Sequence, residues 1–282
     1  MSSMESVLQV RNLTIEYDSR GREPYRAVDQ VSFEVARGEV VGLVGESGCG
    51  KSSTALALLG LLPRRNTLVS GSAALCGREL LGASEGELAK VRGAGISLVF
   101  QEPGISLSPV MRVGSQIAEV IHAHRSWAWK RCRAEAVAVL RRVGLGPVER
   151  IFTAYPHQLS GGQRQRIVLA QALCCEPAVL VADEPTASLD ARSQADFLTL
   201  LRRMKNELGI SILLISHSPE LQASLADRLL VMKGGRIIER GSVQKLYENP
   251  AHDYTRAMLR RAGRVTSIPS EADFSLQGQL AP

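Results

Sequence analysis

What this 282-residue sequence lacks narrows the field before any motif is read. Aromatic residues make up only 4% of it, few for an all-β protein or an aromatic-rich binding surface. No apolar run approaches the ~20 residues that cross a bilayer; the longest are strand-length and end in Gly or charge. The opening MSSMESVLQV has neither a basic n-region nor an apolar h-region. No signal peptide is therefore expected, and the protein is expected to face the cytoplasm. The five cysteines, Cys49, Cys76, Cys132, Cys174 and Cys175, form no CxxC pair and no zinc spacing. An odd count in a reducing compartment points to free thiols rather than a disulfide framework. No internal repeat is visible, so the chain reads as one unit and not a tandem.

What is present supports a folded enzyme-sized domain. Apolar residues reach 45%, enough for a sizeable core. The net charge of +6 suits anionic partners such as nucleotides, nucleic acid or a membrane surface, and equally a solvated Arg-rich exterior. Leu8, Val10, Leu13, Ile15 and then Val31, Phe33, Val35 alternate with polar residues, which is strand patterning. Arg20, Gly21 and Pro24 mark a loop between the two runs. Val40–Val44, residues 96–100, Val179–Ala182 and Ile212–Ile215 are short, almost wholly apolar runs, as suits strands buried on both faces of a parallel sheet. Helical stretches are expected at 53–62, stopped by Pro63, at 113–145, at 191–208 and at 250–262. Leu229–Met232, Gly234-Gly235 and Arg236–Glu239 read as a hairpin. The whole is an α/β pattern with a mid-chain helical insertion.

Gly45-Glu46-Ser47-Gly48-Cys49-Gly50-Lys51-Ser52 matches the phosphate-loop pattern G-x-x-x-x-G-K-[ST] in full, followed by Ser53. A buried strand precedes it and a helix follows. Glycines let backbone N–H groups turn inward around phosphates, and the helix adds its positive end. Lys51 is expected to supply a point charge to the phosphates and Ser52 a hydroxyl to Mg²⁺. A second strand, 179–182, runs into Asp183 and Glu184. Alone, that pair is equally a helix N-cap. With the phosphate loop, Asp183 is placed to hold the metal and Glu184 to act as base toward a water. Gln101 and His217 also follow apolar strands directly, at the ends where open parallel sheets bind ligands. Singly, each is more often an ordinary polar residue at a strand end.

Leu159-Ser160-Gly161-Gly162-Gln163 decides the resemblance: the sequence is similar to ABC transporter ATPases over roughly residues 6–262. The resemblance implies a P-loop NTPase (RecA-like) core, about 1–101 and 161–245, with an antiparallel β subdomain. It further implies an inserted α-helical subdomain at about 102–160, all within one nucleotide-binding domain at 1–266, followed by a tail at 267–282. It implies that Ser160, Gly161, Gly162 and Gln163 close over ATP held by a second subunit, and that Tyr17 stacks on adenine. Gln101 looks like the Q-loop that links nucleotide and metal to membrane subunits. Asp190, in Ala187-Ser188-Leu189-Asp190, looks like the D-loop. His217 looks like the switch histidine, which holds the γ-phosphate and orients Glu184.

A narrower set resembles the dipeptide, oligopeptide and nickel permease branch. It comprises Gln101-Glu102-Pro103, Ser106–Met111, Tyr155-Pro156-His157-Gln158, Cys175-Glu176-Pro177 and Glu248–Ala257. Ser108 stands where that branch commonly has Asn. Many members carry a cysteine-rich C-terminal motif for an iron–sulfur cluster; no cysteine follows Cys175 here, so none is expected. The resemblance implies ATP and Mg²⁺ as ligands, a second and paralogous cassette, two transmembrane permease subunits and a solute-binding protein. It places the chain at the cytoplasmic face of a bacterial inner membrane, driving uptake of peptides, or alternatively of nickel or another small solute. An exporter ATPase is a rival that the Glu248–Ala257 ending disfavours. A nucleic-acid-acting ABC ATPase is a second, disfavoured because no long coiled coil, zinc module or second cassette is present; no nucleic-acid partner is expected. His122 and His124 have no carboxylate or cysteine neighbour to complete a metal site and read as surface histidines. Trp127 and Trp129 read as packing residues or contacts to a membrane subunit. Cys174 and Cys175 read as two small buried hydrophobes.

Overall fold

The alternating N-terminal runs become β1 (Ser6–Tyr17) and β2 (Tyr25–Ala36), paired antiparallel. The computed structural model describes residues 5–18, 23–100 and 106–261. After β3 (Val40–Val44) come α1 (Lys51–Leu58), β4 (Thr67–Leu75), β5 (Arg78–Glu79), α2 (Glu85–Val91) and β6 (Ile96–Val99). The inserted helices are α3 (Val113–His124), α4 (Trp129–Arg142) and α5 (Val148–Thr153), then a short 3₁₀ turn at Pro156–Gln158. The chain continues through α6 (Gly161–Leu173), β7 (Val179–Asp183), α7 (Ala191–Leu208), β8 (Ser211–Ser216) and α8 (Pro219–Ala223). It ends in β9 (Arg228–Lys233), β10 (Arg236–Ser242), α9 (Val243–Glu248) and α10 (Asp253–Arg261).

Two sheets form. One runs β2-β1-β4-β5; the other runs β10-β9-β3-β8-β7-β6. In the second, β3, β8, β7, β6 and β9 pair in parallel, and only β10 runs against its neighbour. Its central strands are largely apolar between their ends because both faces are covered. Val41, Leu43, Val179, Val181, Leu213 and Ile215 pack into the core shared with β1 and β2. Val40, Leu180, Ala182, Ile212 and Leu214, one residue out of phase, pack into the core shared with α6, α7 and the inserted helices. The expected hairpin forms at β9 and β10. Gly234 (φ 53°) and Gly235 (φ 81°) both take the left-handed conformation that a two-residue turn of this kind needs.

The inserted helices are held by stripes at helical spacing. Val113, Ile117 and Ile121 of α3 are fully buried, as are Cys132, Ala136 and Leu140 of α4. Truncating one such residue, as in Ile117→Ala, costs about 2–5 kcal/mol.

Three expectations need correction. The helix after the phosphate loop begins at Lys51, not 53, and ends at Leu58, so Pro63 does not stop it. Gly60 (φ 62°) turns the chain away earlier. The single helical stretch at 113–145 is two helices, broken at Arg125–Ala128 where the backbone at Arg125 and Ala128 is extended. Strand β4 and helix α2 were not foreseen. β4 is mostly exposed on its first half, Leu68 and Val69 included, and small residues fill much of the rest, so it carries little alternation. α2 has the capping box Ser84 and Glu87 that its sequence spells out.

Candidate active site

The strand order builds the site. β3, β8 and β7 are neighbours, and parallel pairing matches Val44 with Ser216 and Asp183 with Ile215. The residues that follow these strands, Gly45, Glu184 and His217, therefore emerge side by side at one edge, with strands spaced ~4.8 Å apart. Sequence order spreads the same groups over most of the chain.

After β3, the loop wraps around Lys51, which is only 7% exposed. Its ammonium donates to the carbonyls of Gly45 (2.7 Å) and Glu46 (2.9 Å). Gly50 (φ 106°) starts α1 without a side-chain cap, leaving the first N–H groups of that helix to an anion. Glycine is required at two points. A Cβ on Gly45 would lie 2.2 Å from the carbonyl oxygen of Met232, and one on Gly50 2.3 Å from that of Ala27. Glu46, Ser47 and Gly48 form the exposed rim, Cys49 is buried beneath it, and Ser52 is exposed on the first turn of α1. The hydroxyl of Tyr17, at the end of β1, lies 3.0 Å from that of Ser53.

Asp183 is the last residue of β7. Burial pushes its carboxyl above the usual range, with the Glu184 charge adding to the rise, while Ser52 and Lys51 pull the other way. Its Oδ1 is buried and has no hydrogen-bond partner. An unpaired buried carboxylate oxygen beside a serine hydroxyl and a phosphate loop suits a hard cation with oxygen ligands.

Glu184 is held more tightly. Its Oε1 accepts from the His217 backbone N–H (2.7 Å) and lies 2.7 Å from His217 Nδ1; its Oε2 accepts from Ser216 Oγ (3.2 Å). Its φ of 48° is a left-handed conformation that costs a non-glycine residue free energy and recurs at functional sites. The pair therefore stands at the strand ends and not as a helix cap.

Ser160 lies elsewhere, at the start of α6. Its Oγ accepts from Gln163 N (3.3 Å), and the Gln163 side chain accepts from Ser160 N (3.0 Å). Ser160 and Gly161 are exposed; Gly162 and Gln163 are half-buried. Asp190 caps α7 in the same manner, accepting from Ser193 N at 2.9 Å. Gln101 lies outside the described residues. Thus Tyr17, the phosphate loop, Asp183, Glu184 and His217 come together, and the 160–163 segment and Asp190 form separate capped helix starts.

Residues 28–187 match the ABC transporter domain family. The chain belongs to the ABC transporter family. It is 42% identical over 267 residues to the oligopeptide transport ATP-binding protein AppD of Bacillus subtilis, covering 94% of this chain and 79% of the relative. It is 43% identical over 259 residues to the glutathione import ATP-binding protein GsiA of Escherichia coli, covering 90% of this chain and 41% of that relative. Its fold matches a dimeric ATP-binding cassette, MJ0796, in a post-hydrolysis state bound to ADP and Pi. That match has a TM-score of 0.74 and 26% identity, over 84% of this chain and 98% of the other.

As an ABC ATPase, the chain also carries site residues that sequence reasoning missed. Gln165 on α6 is fully buried and donates to the carbonyl of Pro185 (2.6 Å), tying α6 to the residue after Glu184. Tyr254 on α10 accepts a hydrogen bond from Glu46 N–H (3.1 Å), so the C-terminal helix reaches the phosphate loop. Beside that bond, a cleft of ≈ 490 Å³ is lined by Glu46, Ser47, His217, Glu220, Tyr254 and Met258, among others. Tyr254 stood in the sequence as part of a branch marker; nothing in its spacing announced the contact. His122 has one cysteine neighbour, Cys132, whose Sγ lies 4.0 Å away. Among the described residues no group of three potential ligands forms around it. Cys174 and Cys175 are buried, as two small hydrophobes would be.

Proposed function

We propose that this chain is the ATP-hydrolysing subunit of a bacterial importer for di- or oligopeptides, working at the cytoplasmic face of the inner membrane. The ABC assignment is the firm part. The peptide cargo is carried over from relatives named for oligopeptide transport and glutathione import. Among the described residues no helix is long and apolar enough to cross a membrane, and the proposal gives the crossing to other subunits. We take these to be two permease subunits, a solute-binding protein and a second, paralogous cassette.

The observation that carries the catalytic reading is the bonded trio Glu184, Ser216 and His217 at the strand ends flanking the phosphate loop. In this reading Lys51, the loop N–H groups and the start of α1 bind the phosphates of ATP, and Tyr17 packs against its base. Asp183 and Ser52, with Gln101, would hold Mg²⁺, which when bound neutralises phosphate charge. Glu184 Oε2 takes a proton from, or orients, the attacking water. His217, anchored through Nδ1, leaves Nε2 for the terminal phosphate. Ser160–Gln163 and Asp190 serve the site of the opposing cassette, so closure joins two half-sites. The core at 1–101 and 161–245 does the chemistry, and the helical insert at 102–160 meets the permeases.

The test is a detergent pull-down of tagged Glu184→Gln chain with ATP. Two polytopic membrane proteins and a second cassette, identified by mass spectrometry, are expected. Retention of nucleic-acid enzymes in their place would sink the transport reading and leave only the ATPase.

A further inference from the structure

The only two tryptophans of the chain both lie in the inserted helical segment. Trp127 sits in the turn after α3, and Trp129 opens α4. Trp129 is 47% exposed and stacks on the ring of His122, centroids 4.6 Å apart. The guanidinium of Arg131 covers Trp127 at 3.7 Å from the ring centroid, with that of Arg125 at 5.9 Å. The turn is built and not loose. His122 Nδ1 lies 3.0 Å from the carbonyl oxygen of Trp127, and Arg125 donates to the carbonyl of Cys175 at 3.2 Å.

The charge around these rings is one-sided. Residues 125–142 contain six cations and a single carboxylate, Glu135. The far end of α4 is compensated, since Arg141 pairs with Glu149 (3.1 Å) and Arg142 with Glu176 (3.5 Å). Among the described residues, the exposed Arg125, Lys130, Arg131 and Arg133 have no carboxylate in ion-pair range. The positive N-terminal end of α4 adds to the same field. Four cations without a carboxylate, two of them (Arg125 and Arg131) over the Trp127 ring and one (Arg133) 5.5 Å from the centroid of Phe152, suit a partner that is both anionic and amphipathic. A lipid headgroup layer has both properties: acidic lipids attract each Lys or Arg near the surface, and Trp settles at headgroup depth. Bases of a nucleic acid fit less well, because Arg131 and His122 already occupy faces of the rings that would have to stack.

We propose that the 125–133 turn is a membrane-contact surface for anionic phospholipid headgroups, with Lys130, Arg131 and Arg133 on the phosphates and Trp129 inserted at their level. It rests on the membrane-side placement proposed above, but it uses none of the ATP-site residues.

The two tryptophans make the test direct, because emission from the full chain reports on this surface alone. Vesicles containing phosphatidylglycerol should shift the emission to the blue, brominated acyl chains should quench it, and added salt should release the protein. Vesicles of phosphatidylcholine alone should do little. The K130E/R131E/R133E variant should partition on the order of tenfold or more weakly while hydrolysing ATP as the wild type does. Trp129→Phe, which leaves Trp127 as reporter, serves if the triple variant folds poorly; it should keep the salt-sensitive binding with a smaller shift. Equal partition into both vesicle types, no shift at all, or a shift evoked instead by a single-stranded oligonucleotide would overturn the surface. Loss of vesicle binding with ATP hydrolysis intact counts against this surface only; absent hydrolysis in the wild type counts against the proposed function only.

Discussion

The two halves of the phosphate site are built to different degrees of completion. Around the phosphate loop, Lys51 is buried and doubly bonded, and Glu184 is fixed by Ser216 and His217 from the next strand. The 160–163 segment is the opposite. Its side-chain bonds close on its own four residues, and Ser160 and Gly161 face solvent. One half is finished by the chain's own fold. The other is a capped, partly exposed helix start, which the proposed function assigns to the site of an opposing cassette. Under the proposed function, this division is what an enzyme assembled from two subunits requires: the chemistry stays fixed, and the segment assigned to a second molecule's nucleotide stays accessible.

The sharpest way to break the comparison is to damage each half separately. Glu184→Gln keeps the shape and two of the bonds but removes the base. Steady-state hydrolysis should fall by about 10²- to 10⁴-fold with ATP binding retained. Turnover by malachite-green phosphate release and binding by a fluorescent nucleotide separate the two. Near-normal turnover would remove Glu184 from its role. Ser160→Ala attacks the open half. It should lower turnover about tenfold, the equivalent of ~1.4 kcal/mol, while leaving ATP affinity of the isolated chain unchanged. It should also cost about 1 kcal/mol of stability from the lost helix cap. A matching drop in monomer affinity would show that the two halves are not separate.

Asp183 sharpens the comparison from the stability side. Burial holds its carboxyl above the usual range, so folding favours the neutral form. The contribution of that group is therefore fully present below the unfolded carboxylate range and is lost as pH rises through the raised one. Nucleotide-free Asp183→Asn lacks this loss. Its Tm should match the wild type near pH 4 and exceed it toward pH 7, by about 2–4 °C for each kcal/mol relieved. Metal-dependent hydrolysis should disappear in the same variant. A Tm gap that is largest in acid would reverse the sign and refute the burial argument.

Much of this was legible in the sequence, for a physical reason. Val40–Val44, Val179–Ala182 and Ile212–Ile215 are covered on both faces, so they are apolar at every position and stand out as runs. The phosphate loop and the 159–163 segment are contiguous because each wraps one anion or starts one helix. What was illegible depends on distance or on exposure. β4 faces solvent along its first half, apolar Leu68 and Val69 included, so its pairing with β1 leaves no periodic trace there. The Gln165 contact with Pro185 joins two segments through a single buried amide, and a lone glutamine in a helix carries no signal. The split of 113–145 into α3 and α4 turns on Arg125–Ala128, which contain no Gly or Pro.

Tyr254 is the smallest of these effects and the most specific. Its hydroxyl accepts from Glu46 N–H across 208 residues of sequence, and the ammonium of Lys233 lies 4.7 Å from its ring centroid. The loop N–H groups that face phosphate must be aimed, and a bond to Glu46 N–H restrains the adjoining turn from behind. Tyr254→Phe keeps the ring, so α10 should stay packed and Tm should move by less than about 1 °C. The loss should appear as a rise in the ATP KM of about threefold, ~0.7 kcal/mol, within the ordinary worth of one net hydrogen bond. Because the bond aims a binding loop and not Glu184, kcat should hold. An unchanged KM would mean that water replaces the hydroxyl without cost. A fall in kcat with KM constant would mean that the contact acts on closure of the two half-sites, and that the completed half of the site is not independent of the C-terminal helix.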